Sequence, residues 1–440
     1  MPTTQIFYAS SLYGAATLAA AIDSGCFTPA DRRLLLVANN ASVPETSPSL
    51  DTMPGFERLR GRFDDVVSWN EAVAPYHPGG WSPRTGDIPL WERYLRMLWS
   101  LGDDRVELAV ESIQVTPALS IAKIFPDAPV DVYADGLMSY GPTRDQIDPL
   151  VGGRVRRLFH LDLVPGLEPL LLAEFGVEAR VVPAEAFVKV VAELSDAVSV
   201  GPYEEGAALL LGQYLAALGI LTPQEEEDLH LRMVRGAVAR GHRRIVFKPH
   251  PTAPASWTRA LEREADALDV ELTVLDRPLL AEVLYRQLRP TLVAGCFSTA
   301  LFTASTFYGI PVARVGTEPL LERLTPYQNS NRIPVTITDA VLPELEDLDQ
   351  GVLAGLTLPE GLNGLVSAVG YAMQARVRPD LREAAETYLG AHLTPRTLRY
   401  FKRRRLTALG LPGGLPVPRH SAVRRVVREA RRLKRGGRRG

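Results

Sequence analysis

Short apolar runs recur along this chain, each ending abruptly and each followed by a stretch of helical periodicity. Thr4-Gln5-Ile6-Phe7-Tyr8-Ala9 precedes a helix over 15–22, and Leu34-Leu35-Leu36-Val37-Ala38 comes next. A weak third strand at 66–68, a helix over 89–101, strands at 106–110, 130–133 and 157–161, and a helix over 118–125 continue the rhythm. Runs apolar at nearly every residue suit strands covered on both faces, and strand–helix–strand repetition implies a parallel sheet with right-handed crossovers. A polar, less periodic stretch at 183–199 reads as the crossing between two domains. A second series then brings strands at 207–211, 245–247, 272–275, 291–294 and 311–315, with a helix over 279–287. Thr222-Pro223-Gln224-Glu225 is a capping box with Pro at the first helical position, opening a helix that runs to about Arg240. Two such series predict an α/β protein of two facing doubly wound, Rossmann-like domains, 1–195 and 196–375, followed by closing helices over 376–410 and a basic tail at 411–440. A length of 440 residues accommodates this.

Several function classes are excluded early. No apolar run reaches the length of a membrane span, and Met1-Pro2-Thr3-Thr4-Gln5 has neither the basic nor the apolar region of a secretion signal. Cys26 and Cys296 form no metal or redox spacing, and the seven histidines are scattered, so no metal site and no cofactor is expected. A reduced, cytoplasmic protein is the expectation.

Three short segments lie just past predicted strands, where open α/β sheets bind ligands. Asp135-Gly136 follows the strand at 130–133. Lys248-Pro249-His250-Pro251 follows Ile245-Val246-Phe247, and its prolines stiffen the exit so that Lys248 and His250 are held out together. Ser298-Thr299 follows Gly295 and opens a helix, whose free N–H groups and positive end suit an anion. Taken singly, these are also an Asx turn, a proline-rich loop and an ordinary Ser cap. A cleft between the domains would bring all three to one ligand, with Asp135 as a general base and Lys248, His250, Ser298 and Thr299 on a phosphate.

In this order and spacing, Asp135-Gly136, His250-Pro251 and Ser298-Thr299 resemble the three motifs of the bacterial polysialyltransferase family: acid-acid-Gly, His-Pro and Ser-Ser/Thr. Ser10-Ser11-Leu12-Tyr13, Asp162-Leu163-Val164-Pro165-Gly166 and Leu211-Gly212-Gln213 are similar to that family as well. The likeness departs at Ala134, which stands where the first acid belongs. The resemblance implies a B-type glycosyltransferase fold and inverting, metal-independent transfer of sialic acid, or a related nonulosonic acid, from its CMP form to a glycan or glycolipid acceptor in surface polysaccharide synthesis. Asp135 would then deprotonate the acceptor hydroxyl, His250 would serve the leaving phosphate, and Lys248, Pro251, Ser298 and Thr299 would surround that phosphate. Ser10, Ser11, Gly136 and Gln213 would face the acceptor or the cleft. A CMP-Kdo-type transferase, a sugar-nucleotide epimerase or hydrolase, and a non-catalytic membrane-associated glycan-binding protein are the alternatives.

The charge is uneven. From Lys402 to the end, fourteen Lys and Arg face one acid, Glu429, so a tail of +13 follows a body of −15 in a chain of net −2. Past the linker at 411–418, a helix over 422–435 would carry Val423, Val426, Val427, Ala430 and Leu433 on one side and arginines elsewhere. The stretch from Lys402 to Arg439 therefore reads as a contact for the anionic inner face of a cell membrane. No aromatic residues interleave those arginines, so no nucleic acid partner is expected.

Overall fold

A computed structural model of the chain describes residues 1–134, 136–201, 205–250, 255–349 and 355–416. The first sheet comprises β1 (Thr3–Ala9), β2 (Arg32–Val37), β3 (Asp65–Ser68), β4 (Arg105–Glu111), β5 (Val130–Tyr133), β6 (Val155–Leu161) and β7 (Glu178–Val182). The second comprises β8 (Ala208–Leu211), β9 (Arg244–Lys248), β10 (Glu271–Val274), β11 (Leu292–Gly295) and β12 (Val312–Arg314). The strand orders are β3-β2-β1-β4-β5-β6-β7 and β10-β9-β8-β11-β12. All these pairings are parallel; Ile6, for example, lies between Leu34 and Leu108. Central strands are buried along almost their whole length, as their unbroken apolar sequences require. Chain order therefore reverses once per sheet, between β1 and β4 and between β8 and β11. The architecture is two doubly wound α/β layers, as expected.

Local signals act as written. Ser11 accepts the Gly14 N–H and starts the Leu12–Asp23 helix, and Thr222 and Glu225 cap the Pro223–Ala239 helix reciprocally. One reading fails. The stretch at 183–199 holds a helix, Ala184–Asp196, which buries Phe187, Val190, Val191 and Leu194. Those four positions form one stripe at helical spacing, with the charged residues of the stretch on the other faces. The helix packs on the Leu12–Asp23 helix of the first layer and on the Ala281–Leu288 helix of the second. Strand β7 has no apolar signature because it is an edge strand with four of its five residues exposed.

The closing helices return to the first layer. From Leu362–Gln374, Asn363 Nδ2 donates to Gly166 O at 2.9 Å; just beyond that helix, Arg378 Nη1 donates to Leu170 O at 3.0 Å. The start of the basic run is spent inside the fold: Lys402 Nζ reaches the Glu322 and Leu324 carbonyls, and Arg405 Nε donates to Ala372 O. The linker described ends at Pro416, and the expected tail helix lies outside the described residues. No helix among the described residues is long and apolar enough to cross a membrane.

Behind β8 and β9, His230 is fully buried against Phe247 and Trp257, and its Nε2 accepts the Gln213 N–H at 3.0 Å. Burial pushes its pKa down to about 4. The unfolded chain binds this proton near pH 6.5, so stability falls as pH drops from there towards 4. His230→Gln, which keeps an acceptor for Gln213, is expected to flatten that dependence by up to one proton, about 1.4 kcal/mol per pH unit. Urea unfolding at a series of pH values measures this, and equal slopes in both proteins would refute it.

Candidate active site

The C-terminal edges of the two sheets face each other across a cavity of about 650 Å³. Ser11, Tyr13, Glu111, Ser112, Leu137 and Arg144 line it from the first layer. Gly212, Gln213, Tyr214, His250, Phe297, Ser298 and Thr299 line it from the second. Both reversal points open into it, the position where such sheets bind ligands.

On the second layer, β9 ends at Lys248, and Pro249 turns the chain so that His250 reaches the cavity. The His250 ring stacks on Tyr214, with centroids 4.0 Å apart and planes 22° from parallel. Tyr214 leaves β8 through Gly212, which has no room for a side chain: a Cβ there would stand 3.0 Å from the Phe247 ring and 3.1 Å from Lys248 O. Burial, with the charge of Lys248 adding to it, pushes the His250 pKa down to about 4, so the free imidazole is neutral at pH 7. Ser298 caps the Thr299–Tyr308 helix, its Oγ accepting the Ala300 N–H at 3.3 Å. That helix start, with two hydroxyls, opens on the cavity beside His250, a geometry whose dipole and free N–H groups suit an anion.

Lys248 is not on that surface. It is absent from the cavity wall, and burial lowers its pKa while the Glu282 and Asp276 carboxylates act on its charge. Glu282, itself fully buried with its pKa raised by burial, accepts the Thr303 hydroxyl at 2.7 Å.

On the first layer, Asp135 lies outside the described residues, as does Pro251 in the second. Asp135's neighbours are described: Ala134 is buried in the apolar core and Gly136 has φ +80°. Gly136 presses on Thr299. A Cβ at 136 would stand 2.6 Å from Thr299 Cγ2 and closer still to its Oγ1. The first and third segments therefore meet across the interface. Ser11 lines the cavity as a helix cap, whereas Ser10 lies beside it, bonded to Glu111. Gln213 lines the wall, with its side-chain amide nitrogen turned back to the Leu211 and Gly212 carbonyls.

Sequence reasoning missed Glu111, Tyr214 and Arg144. Glu111 carried a signal, because it ends a strand; Tyr214 and Arg144 are brought in by the fold alone.

Comparison with known proteins gives one family. A family model described as alpha-2,8-polysialyltransferase matches residues 5–317. No curated protein matches the chain. Among solved structures, the glycosyltransferase B-type domain of a Photobacterium damselae sialyltransferase is 12% identical, covering 76% of this chain and 95% of its own, with a TM-score of 0.39. A Photobacterium 2,6-sialyltransferase in complex with CMP and lactose is 13% identical over 76% of this chain and 75% of its own, TM-score 0.42. The UDP-GlcNAc 2-epimerase of Methanocaldococcus jannaschii is 13% identical over 71% of this chain and 83% of its own, TM-score 0.40.

Gly136→Ala tests the interface. A side chain at positive φ costs about 1 kcal/mol, and the overlap with Thr299 adds about 1–3 kcal/mol. Urea or thermal unfolding should register a loss within that combined range, partly restored by Thr299→Ala in the same chain. Unchanged stability in Gly136→Ala would contradict the contact.

Proposed function

The chain belongs to the alpha-2,8-polysialyltransferase family, and we propose that it moves sialic acid, or a related nonulosonic acid, from its CMP-activated form to a hydroxyl of a glycan acceptor, with inversion and without a divalent ion. It is a glycosyltransferase by that membership. The observation that carries the finer reading is that His250 and Ser298-Thr299 line one cavity, with Gly136 packed directly on Thr299.

The chemistry is as follows. The bond between the sugar's anomeric carbon and the phosphate oxygen breaks, and CMP departs with the electron pair. The acceptor oxygen bonds to that carbon from the opposite face, and its proton passes to the Asp135 carboxylate. Charge grows on the phosphate, so donors pre-aimed there do most of the work. Ser298, Thr299 and the first N–H groups of their helix suit it. His250 starts neutral, retains one N–H to donate, and gains basicity once an anion lies against it. It then supplies a proton to the departing phosphate. A single phosphate can be balanced by these groups, whereas a diphosphate leaving group more often calls for a metal ion.

The basic residues beyond Pro416, with the exposed Arg403 and Arg404, would hold the enzyme to the anionic cytoplasmic face of a membrane, where surface glycans are assembled. Removal of residues 417–440 should then abolish co-sedimentation with phosphatidylserine vesicles at low salt. Equal sedimentation would refute this part alone.

The transfer reading is tested with purified protein, CMP-sialic acid and sialylated lactose. CMP release should require the acceptor for full rate. His250→Ala and Asp135→Asn should each lower kcat by about 100-fold or more, the scale of losing a general acid or base. Release untouched by both substitutions, or turnover of UDP-GlcNAc in place of CMP-sialic acid, would overturn it.

A further inference from the structure

We propose that Glu111 is an acceptor-positioning residue, whose carboxylate receives hydroxyl groups of the acceptor's terminal sugar. This inference rests on the transfer reading above. Glu111 is the last residue of β4, at the reversal point of the first sheet, and pairs in register with Tyr133 two residues before Asp135. Its side chain is half-buried and lines the cavity. Among the described residues of the cavity wall, it is the single carboxylate.

The carboxylate is held in place. Ser10 N donates to Oε2 at 2.8 Å, and the Ser10 hydroxyl lies 2.9 Å from both oxygens. The Tyr133 hydroxyl lies 3.3 Å from Oε2 and 3.0 Å from the Tyr8 carbonyl. Ser10 N holds Oε2, the one Ser10 hydroxyl proton is shared between the two oxygens, and the Tyr133 hydroxyl has the Tyr8 carbonyl as its nearer acceptor. A carboxylate has about four acceptor positions, so Oε1 retains capacity. Immobilised, it presents that capacity without the rotamer entropy an unrestrained Glu would lose on binding.

The chain beyond it is strained to the same end. Ser112 and Ile113 have φ of +53° and +42°, a left-handed pair with no glycine, and Ile113 is β-branched. Such backbone persists only where its surroundings dictate it, and it gathers at functional sites. It turns the chain so that Gln114 and Val115 also face the cavity.

The chemistry selects the ligand. The donor is anionic at its phosphate and at its own carboxylate, and a fixed carboxylate repels both. Its phosphate partners sit on the opposite wall, at His250 and the Thr299–Tyr308 helix. Sugar hydroxyls are donors, and neighbouring hydroxyls can share the two oxygens of one carboxylate. Glu111 therefore belongs to the acceptor half of the cavity. It orients the nucleophilic sugar and takes no proton in the reaction.

The test measures the dissociation constant for CMP, the acceptor KM and kcat in the full chain, using sialylated lactose and CMP-sialic acid. Glu111→Gln removes the charge and turns one acceptor atom into a donor. The acceptor KM should rise about 10-fold, the scale of one charge-assisted hydrogen bond, with kcat within about 3-fold of the unaltered protein. Ser10→Ala, which frees the carboxylate, should raise KM in the same direction by a smaller factor, about 3-fold. CMP affinity and melting temperature should hold in both. An unchanged acceptor KM overturns the proposal, as does a loss of CMP affinity equal to the rise in KM. A collapse of kcat at constant KM also overturns it, by making Glu111 catalytic. If the unaltered protein releases no CMP, the transfer reading fails first, before any variant is made, and this inference falls with it.

Discussion

Parallel pairing is the constraint on which the rest depends. When every strand of a sheet runs one way, every exit loop lies on one edge, and the single reversal of order splays the loops apart there. In the first layer the crevice lies between the exits of β1 and β4, at Ser11 and Glu111; in the second it lies between β8 and β11, at Gly212 and Phe297. An antiparallel β9 would carry His250 to the far edge. The cavity is thus a consequence of topology before it is a matter of side chains.

Holding two such edges face to face needs contacts that belong to neither sheet. The Ala184–Asp196 helix lies against both layers, the closing helices bond back to the loop at 163–171, and Thr306 Oγ1 donates to Leu163 O at 2.9 Å. At Gly136 on Thr299, a missing Cβ lets a first-layer strand exit touch the helix start that faces the cavity. Glycine answers two demands there, positive φ and absence of volume, and no other residue answers both.

How much of this was legible in the sequence follows from how locally each feature is encoded. Central strands and the capped helices were readable, because burial on both faces and cap chemistry are written in adjacent residues. The exposed edge strand β7 was not, since no buried face marks it. The Ala184–Asp196 helix was missed because interspersed charges masked the stripe of Phe187, Val190, Val191 and Leu194, whose partners lie in two separate layers. Of the site, the three segments past β5, β9 and β11 stood out by position alone. Lys248 and His250 part company where the strand ends: Lys248 closes β9 within reach of the Glu282 and Asp276 charges, and the turn at Pro249 lets His250 line the cavity. Glu111 and Tyr214 gain their meaning from partners about 101 and 36 residues distant, Ser10 and His250, which no local pattern encodes.

The division of charge between the walls has a consequence for proton delivery. Lys248 stands behind the cavity and close enough to lower His250, so the free imidazole is kept neutral by burial and by a neighbouring cation together. An anion seated at Ser298 and His250 opposes both causes, since it favours the protonated ring and offsets the lysine's field. In the proposed transfer, the proton would become available where the phosphate lies. Had Lys248 reached into the cavity, it would have neutralised the phosphate directly and left His250 with less reason to take up a proton. In the proposed transfer, Lys248 would adjust the imidazole, and the contact with the anion would fall to His250, Ser298 and Thr299.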